Sequence, residues 1–246
     1  MKAVLTSSLG GSRIENGFRV PDRLIERNGL GDRVRAIWPE KARVLILSAD
    51  PMDHGKNDSL QNCLGEALPM SGLPLSAIEV CDDRNLEAAE DLTQWDVLIL
   101  SGGHVPTQNR FFRELRLGER LAEFRGILIA WSAGSMNCAE MVYAGPELEG
   151  EAIDPNFQRW LPGLGITKVN IFPHFQSLRE EKLDGLRLVE DITFDDSVGH
   201  PLLALNDGSY VFIDDGKTTV YGAAYEILDR KITEFCREGE ARGLSV

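Results

Sequence analysis

Two stretches, Val97-Leu98-Ile99-Leu100 and Ile127-Leu128-Ile129-Ala130, are apolar at every position. A half-exposed strand alternates apolar and polar residues. Short runs without alternation, bounded by turn signals, suit strands buried on both faces, as in a parallel sheet. With their flanks these two read as strands Asp96–Leu100 and Gly126–Trp131. Similar runs recur at Ala3–Ser7, Arg43–Ser48, Leu75–Val80, Lys168–Phe172, Leu202–Leu205 and Tyr210–Ile213.

Helical periods lie between them. Leu60, Cys63, Leu64, Ala67 and Leu68 repeat at helix spacing, and Ser71-Gly72 supplies a stop. Pro106 suits a first helical position ahead of Phe111, Phe112, Leu115 and Leu121. Ser177 and Glu180 have capping-box spacing and predict a helix carrying Leu183, Leu186 and Leu188. The alternation predicts an α/β fold, a three-layer α/β/α sandwich with a mostly parallel sheet. Asn206-Asp207-Gly208-Ser209 between the last two runs is hairpin chemistry, so a late antiparallel hairpin is expected there. Ser8–Pro39 reads as a loop with a helix near Asp22–Asn28, and the polar end Arg237–Val246 as frayed. No linker or repeat divides the chain, so residues 1–246 are expected to form a single domain.

Charge narrows the function. Lys and Arg number 26 and Asp and Glu 39, a net charge of −13. Such a surface repels phosphate backbones and anionic lipid, so neither nucleic acid nor membrane is an expected partner. No apolar run approaches the ~18 residues of a membrane helix, and the apolar start is too short for a secretion signal. Cys63, Cys81, Cys138 and Cys236 are scattered without C-x-x-C spacing. That pattern suits reduced thiols in the cytoplasm and no zinc site.

The segment that carries chemistry is Ile129-Ala130-Trp131-Ser132-Ala133-Gly134-Ser135. A buried strand ends, a serine follows, and Ala130 and Gly134 flank it two residues away on either side. A strand that turns sharply into a helix crowds those two positions and lifts the serine hydroxyl above the sheet, as in a nucleophile elbow. Free amides at the start of the helix would face negative charge there. A serine N-cap would leave much the same letters.

A nucleophilic serine needs a base. Of His54, His104, His174 and His200, only His174 ends a predicted strand, in Phe172-Pro173-His174-Phe175, where the strand ends of a parallel sheet would share a rim with Ser132. The other three read as loop residues, His54 in a polar loop with Asp53 and Asp58. The base needs an orienting carboxylate. Asp207 supplies the order Ser, His, Asp, although Asn-Asp-Gly is also plain turn chemistry. Glu147, Glu149 and Glu151 are the reserve, in what otherwise reads as a solvated acidic loop. For an oxyanion hole, the Ala133 N–H is one donor and Gly103, in the turn Ser101-Gly102-Gly103-His104, the other.

The sequence resembles the aspartyl dipeptidase (peptidase E) family, which includes cyanophycinase and is related in fold to class I glutamine amidotransferases. The resemblance rests on Ser101-Gly102-Gly103, Ala130-Trp131-Ser132-Ala133-Gly134, Asn170-Ile171-Phe172-Pro173-His174-Phe175 and Ala204-Leu205-Asn206-Asp207-Gly208, which occur in family order. It implies Ser132 as nucleophile and His174 as base, with Asp207 where the dipeptidase has a Glu. His104 stands where the family has Asn, which bears on specificity. No histidine is followed by the His-x-Glu pattern of the amidotransferases, and the nucleophile is Ser, so glutamine hydrolysis is disfavoured.

The expectation is therefore a serine hydrolase that cleaves a small peptide through an acyl-enzyme, without metal or organic cofactor. His104, Asn109 and Arg110 are candidate substrate contacts. For an acidic substrate, Arg110, Arg113 and Arg179 are candidate cations, each reading first as a solvated helix arginine. A non-catalytic ligand-binding or regulatory member of the fold, and an esterase or amidase using the same triad, are the alternatives. A homodimer is compatible with any of these.

Overall fold

The apolar runs become strands of a mixed eight-stranded sheet in the computed structural model, which describes residues 1–16 and 18–244. In chain order, β1 (Lys2–Thr6) precedes a hairpin of β2 (Gly10–Glu15) and β3 (Phe18–Leu24), then α1 (Leu30–Ile37), β4 (Ala42–Leu47), α2 (His54–Met70) and β5 (Leu75–Cys81). Next come β6 (Val97–Leu100), α3 (Val105–Glu114), α4 (Leu117–Leu121), β7 (Ile127–Trp131) and the one-turn α5 (Ala133–Asn137). The chain continues through β8 (Met141–Tyr143), β9 (Trp160–Pro162), β10 (Asn170–Phe172), α6 (Phe175–Leu178), β11 (Lys182–Leu183) and β12 (Leu186–Arg187). It closes with β13 (Leu202–Leu205), β14 (Tyr210–Asp214), β15 (Lys217–Tyr221), β16 (Ala224–Leu228), β17 (Lys231–Cys236) and β18 (Ala241–Leu244).

The main sheet has the order β18-β15-β14-β1-β7-β6-β4-β5. Its five strands from β1 to β5 are mutually parallel, and β14, β15 and β18 extend it antiparallel. Side chains alternate between faces, so each unbroken apolar run feeds two cores. Leu45, Leu47, Leu98, Leu100, Leu128 and Ala130 pack on one side with Phe111, Phe112 and Leu115 of α3 and its C-terminus. Val44, Ile46, Val97, Ile99, Ile127 and Ile129 pack on the other with Leu30 and Val34 of α1 and Leu64 and Leu68 of α2. Burying such a side chain contributes about 1.5–3 kcal/mol, which explains why these runs tolerate no polar residue. Among the described residues no helix is long and apolar enough to cross a membrane.

A second sheet, β10-β13-β16-β17, corrects two expectations. The strand that carries His174 does not join the sheet that carries Ser132. Leu202–Leu205 and Tyr210–Ile213 do not pair with each other either. β13 lies between β10 and β16, and β14 pairs with β1 and β15. Asn206–Ser209 is thus a bridge between sheets, and the late antiparallel hairpins are β14–β15 and β16–β17.

Three further expectations give way. Lys182–Arg187 forms the hairpin β11–β12 in place of a helix, because Asp184 (φ 53°) and Gly185 (φ 83°) take the left-handed pair that a two-residue turn requires. Ser8–Pro39 holds the hairpin β2–β3, and its helix starts at Leu30 after the expected segment ends; the hairpin is largely exposed and polar, so it shows no apolar period. Gly17, within that stretch, lies outside the described residues. The chain end pairs as β18 with β15 through the backbone ladder, with hardly any apolar face to betray it; Ser245 and Val246 lie outside the described residues.

Candidate active site

β1 and β7 are parallel neighbours in the register Thr6↔Trp131, so Ser7 and Ser132 leave the same rim side by side, and the Ser132 N–H donates to Thr6 O at 3.1 Å. β10 and β13 are likewise parallel, in the register Phe172↔Ala204, which brings the chain after each, His174 and Asp207, to one rim of the second sheet. The bridge Asn206–Ser209 docks on the end of β1, where Ser7 N–H and Thr6 Oγ1 both donate to Ser209 O. Three predicted residues from two sheets are drawn together in this way.

Ser132 has φ 50° and ψ −122°, a backbone state that costs a non-glycine residue about 1–3 kcal/mol. The turn is tight because α5 starts directly against the end of β6. A Cβ on Gly134 would lie 2.3 Å from Leu100 O. Gly134→Ala is therefore expected to cost about 3 kcal/mol, lowering the unfolding midpoint by roughly 6–12 °C in a thermal melt.

His174, also left-handed at φ 55°, places Nδ1 2.8 Å from Asp207 Oδ1. The Ser7 hydroxyl donates to the same oxygen at 2.7 Å and accepts the His174 backbone N–H at 2.8 Å. Gln176 Nε2 donates to Asp207 Oδ2 at 2.6 Å, and its Oε1 accepts the Asp207 N–H at 2.9 Å. Burial pushes the Asp207 pKa up, but the hydrogen bonds from His174 and Ser7 and the nearby imidazole outweigh it and hold the carboxyl below its ordinary value. Ser7 and Gln176 were not singled out from the sequence. Ser7 ends the first apolar run, so the strand-end argument that selects His174 reaches it too.

Ser132 and His174 line one pocket of about 280 Å³. Its walls are largely apolar, among them Met136, Pro146, Phe172, Leu178 and Leu188, and Glu147, Glu181 and Lys182 bring charge to it. Among the described residues no hydrogen bond joins the Ser132 hydroxyl to His174. Of the reserve carboxylates, none takes the place of Asp207 on His174. Glu147 lines the pocket, Glu151 pairs with His104, and Glu149 is exposed.

Glu147 keeps solvent access at the pocket mouth while dense protein surrounds its carboxyl. Desolvation, with a further push from Glu151, raises its pKa to about 7 against the opposing pull of the Val105 N–H and His174. The folded value lies above the unfolded one, so the penalty is absent below about pH 4.5, grows toward pH 7 and is complete above it. Glu147→Gln is expected to raise the unfolding midpoint at pH 8 by a few degrees at most, because solvent screens the charge, and to leave it unchanged at pH 4.

The turn after β6 approaches the nucleophile through Gly102, whose Cβ position lies 3.1 Å from Ser132 Cβ. Gly103 backs onto Ala49, where a Cβ would come within 2.5 Å. Among the described residues, the N–H groups of Gly102, Gly103 and Ala133 have no hydrogen-bond partner. A buried amide network fixes this turn against α5. Gln108 Nε2 donates to Ser101 O, Asn137 Nδ2 to Gln108 Oε1, and Asn109 Nδ2 to Asn137 Oδ1 and Pro162 O.

That network corrects the expectation for Asn109, which is buried and bound to the scaffold. Arg110 and Arg113 lie exposed on α3 and Arg179 just past α6, all outside the pocket lining, and among the described residues Lys182 of β11 is the cation that lines it. His104 also lies outside the lining. Its Nδ1 meets Thr107 Oγ1 at 2.8 Å and its Nε2 meets Glu151 Oε1 at 2.9 Å. His54 and Asp58 lie on α2, which Asp53 caps, in place of the expected loop. Among the described residues, His54, Asp82 and Asp83 are the grouping with metal-type donors. Their atoms are already paired, His54 with Asp83, and Asp82 with Arg84 and Asn57.

The profile of peptidase family S51 matches residues 53–221, more than half of the chain and the part that holds Ser132, His174 and Asp207. No curated protein sequence matches it. Among solved structures, a 1.5 Å crystal structure of a candidate peptidase E protein from Listeria monocytogenes EGD-e shares the fold, with a TM-score of 0.55 and 11% identity over 88% of this chain and 96% of that one.

Proposed function

The chain belongs to peptidase family S51, a family of serine peptidases, and we propose that it hydrolyses short peptides, dipeptides foremost, through a Ser132–His174–Asp207 triad. The observation that carries this reading is the pocket shared by Ser132 and His174, with Asp207 at 2.8 Å from the far ring nitrogen. Asp207 accepts from Nδ1–H and so leaves Nε2 as the basic nitrogen. As the Ser132 oxygen bonds to the substrate carbonyl carbon, Nε2 takes the hydroxyl proton. The oxyanion is met by the Ala133 N–H and by an N–H of the Gly102-Gly103 turn, Gly103 by the sequence argument. The tetrahedral intermediate collapses with transfer of that proton to the leaving amine. Water then attacks the ester, giving its proton to His174, and the acid leaves as Ser132 recovers a proton. These steps call on no metal or organic cofactor.

The pocket volume suits one or two residues better than a protein strand. An aspartyl dipeptide is the substrate that the sequence resemblance points to, and Lys182 is the cation available to its side-chain carboxylate. A fluorophosphonate probe tests the reading. It is expected to label the wild-type chain and not Ser132→Ala, and labelling that survives the substitution overturns the assignment. Turnover of dipeptides in preference to simple esters separates a peptidase from an esterase with the same triad.

A further inference from the structure

We propose that Glu147 receives the free α-ammonium group of the residue that acylates Ser132, which makes this pocket selective for the amino-terminal end of its substrate. The inference rests on the peptidase reading above and deepens it. Glu147 lines the pocket together with Ser132 and His174, and its charge is close enough to bear on the His174 ring. One carboxylate oxygen, Oε1, accepts the Val105 N–H at 3.2 Å. The other has no donor among the described residues. In a dipeptide the acylating residue is the first one. Its ammonium is attached to the carbon next to the attacked carbonyl, so a cation must come to rest near Ser132 whatever the side chain.

The segment that carries Glu147 is fixed from two sides. Glu151 Oε2 accepts the N–H groups of Glu147 and Leu148, at 2.8 and 2.9 Å, while His104 holds Glu151 Oε1. From the β11–β12 turn, Asp184 accepts the N–H groups of Gly150 and Ala152, at 2.9–3.0 Å. A solvated acidic loop has no need of such fastening, whereas a carboxylate that must meet a ligand at a fixed distance from the nucleophile does. His104 and Glu151 are then positioning residues for Glu147. The protein packed round its carboxyl, although the residue stays open to solvent, leaves Glu147 in a state that a cationic partner relieves, since a neighbouring positive charge favours the ionised form. A blocked or extended amino terminus brings a neutral amide in place of the ammonium and leaves the carboxylate unpaired, so it is rejected.

The test measures binding to the Ser132→Ala protein by calorimetry, with Asp-Leu, Ala-Leu and Lys-Leu, each free and N-acetylated. For the tightest free dipeptide, acetylation is expected to weaken binding about 10- to 100-fold. Adding Glu147→Gln to Ser132→Ala should weaken the free ligand by a similar factor and leave its acetylated form within about threefold. Free and acetylated ligands that bind equally, or an acetylation penalty that persists in the Glu147→Gln background, overturn the proposal. The ligand comparison does not depend on whether the Gln variant folds. Fluorophosphonate labelling of Ser132, in a protein otherwise wild type, separates the two failures. A labelled enzyme indifferent to acetylation keeps its peptidase assignment and loses this one, whereas an unlabelled Ser132 removes the peptidase reading itself.

Discussion

Ser132→Ala is expected to lower kcat/KM on the best dipeptide by about 10⁴- to 10⁶-fold, and His174→Ala by nearly as much, with the double variant no worse than either single one. The equality is the informative part. A serine without its base and a base without its serine each remove the same step, so the losses do not multiply. What survives in all three variants is the contribution of substrate binding and the oxyanion donors. The fold should tolerate the change, because the strain at Ser132 resides in a backbone fixed by the Ser132 N–H to Thr6 O bond and by Gly134 under Leu100, neither of which needs the hydroxyl. An unfolding midpoint within a few degrees of wild type would show that the loss is chemical. Steady-state kinetics of the four proteins decide the matter. Activity of Ser132→Ala within tenfold of wild type, or losses that multiply in the double variant, would sink the triad.

The legible part of the fold was the part whose residues are buried on both faces. β6 and β7 announce themselves because every position is apolar, and β4 because all but Arg43 are, and parallel pairing follows from the helices between them. The half-exposed hairpin β2–β3 and the edge strand β18 are held by backbone ladders, which leave no trace in side-chain pattern. The site followed the same division. Ser132, His174 and Asp207 were legible as candidates because chemistry-bearing residues stand just past strand ends. That the last two follow strands of a separate sheet was not, since β13 is as apolar as a strand of the main sheet and β10 is too short to carry a pattern. Glu147 was legible only as one acid in a charged run. Its segment is held by Glu151 nearby and by His104 and Asp184 from distant parts of the chain, which no local pattern announces. Asn109 misled for the converse reason: an amide beside a candidate oxyanion turn reads as a ligand contact, yet this one is consumed by Asn137 and Pro162.

Asp207→Asn is expected to lower kcat by about 10³- to 10⁴-fold with little change in KM. Asp207 accepts three side-chain donors, His174 Nδ1–H and the Ser7 hydroxyl on one oxygen and Gln176 Nε2–H on the other. An asparagine has one acceptor oxygen and one donor nitrogen, so it cannot satisfy all three. If its oxygen stays with His174 and Ser7, its NH₂ faces that of Gln176 and the reciprocal clasp breaks. If it flips, its NH₂ confronts Nδ1, which then carries no proton, and the proton moves to Nε2, where the base function requires a lone pair. The clasp selects the second arrangement, and the enzyme holds a correctly placed imidazole in the wrong tautomer. Ser7→Ala removes one of the two donors on that oxygen and the support of the His174 N–H, but leaves the carboxylate and the tautomer intact, so its cost should be nearer tenfold. The ratio of these two effects is what distinguishes an orienting carboxylate from a turn residue. If Asp207 served only the bridge between the sheets, Asn, a good turn former, would preserve activity within a few-fold, and Ser7→Ala and Asp207→Asn would be alike in kinetics and in melting temperature.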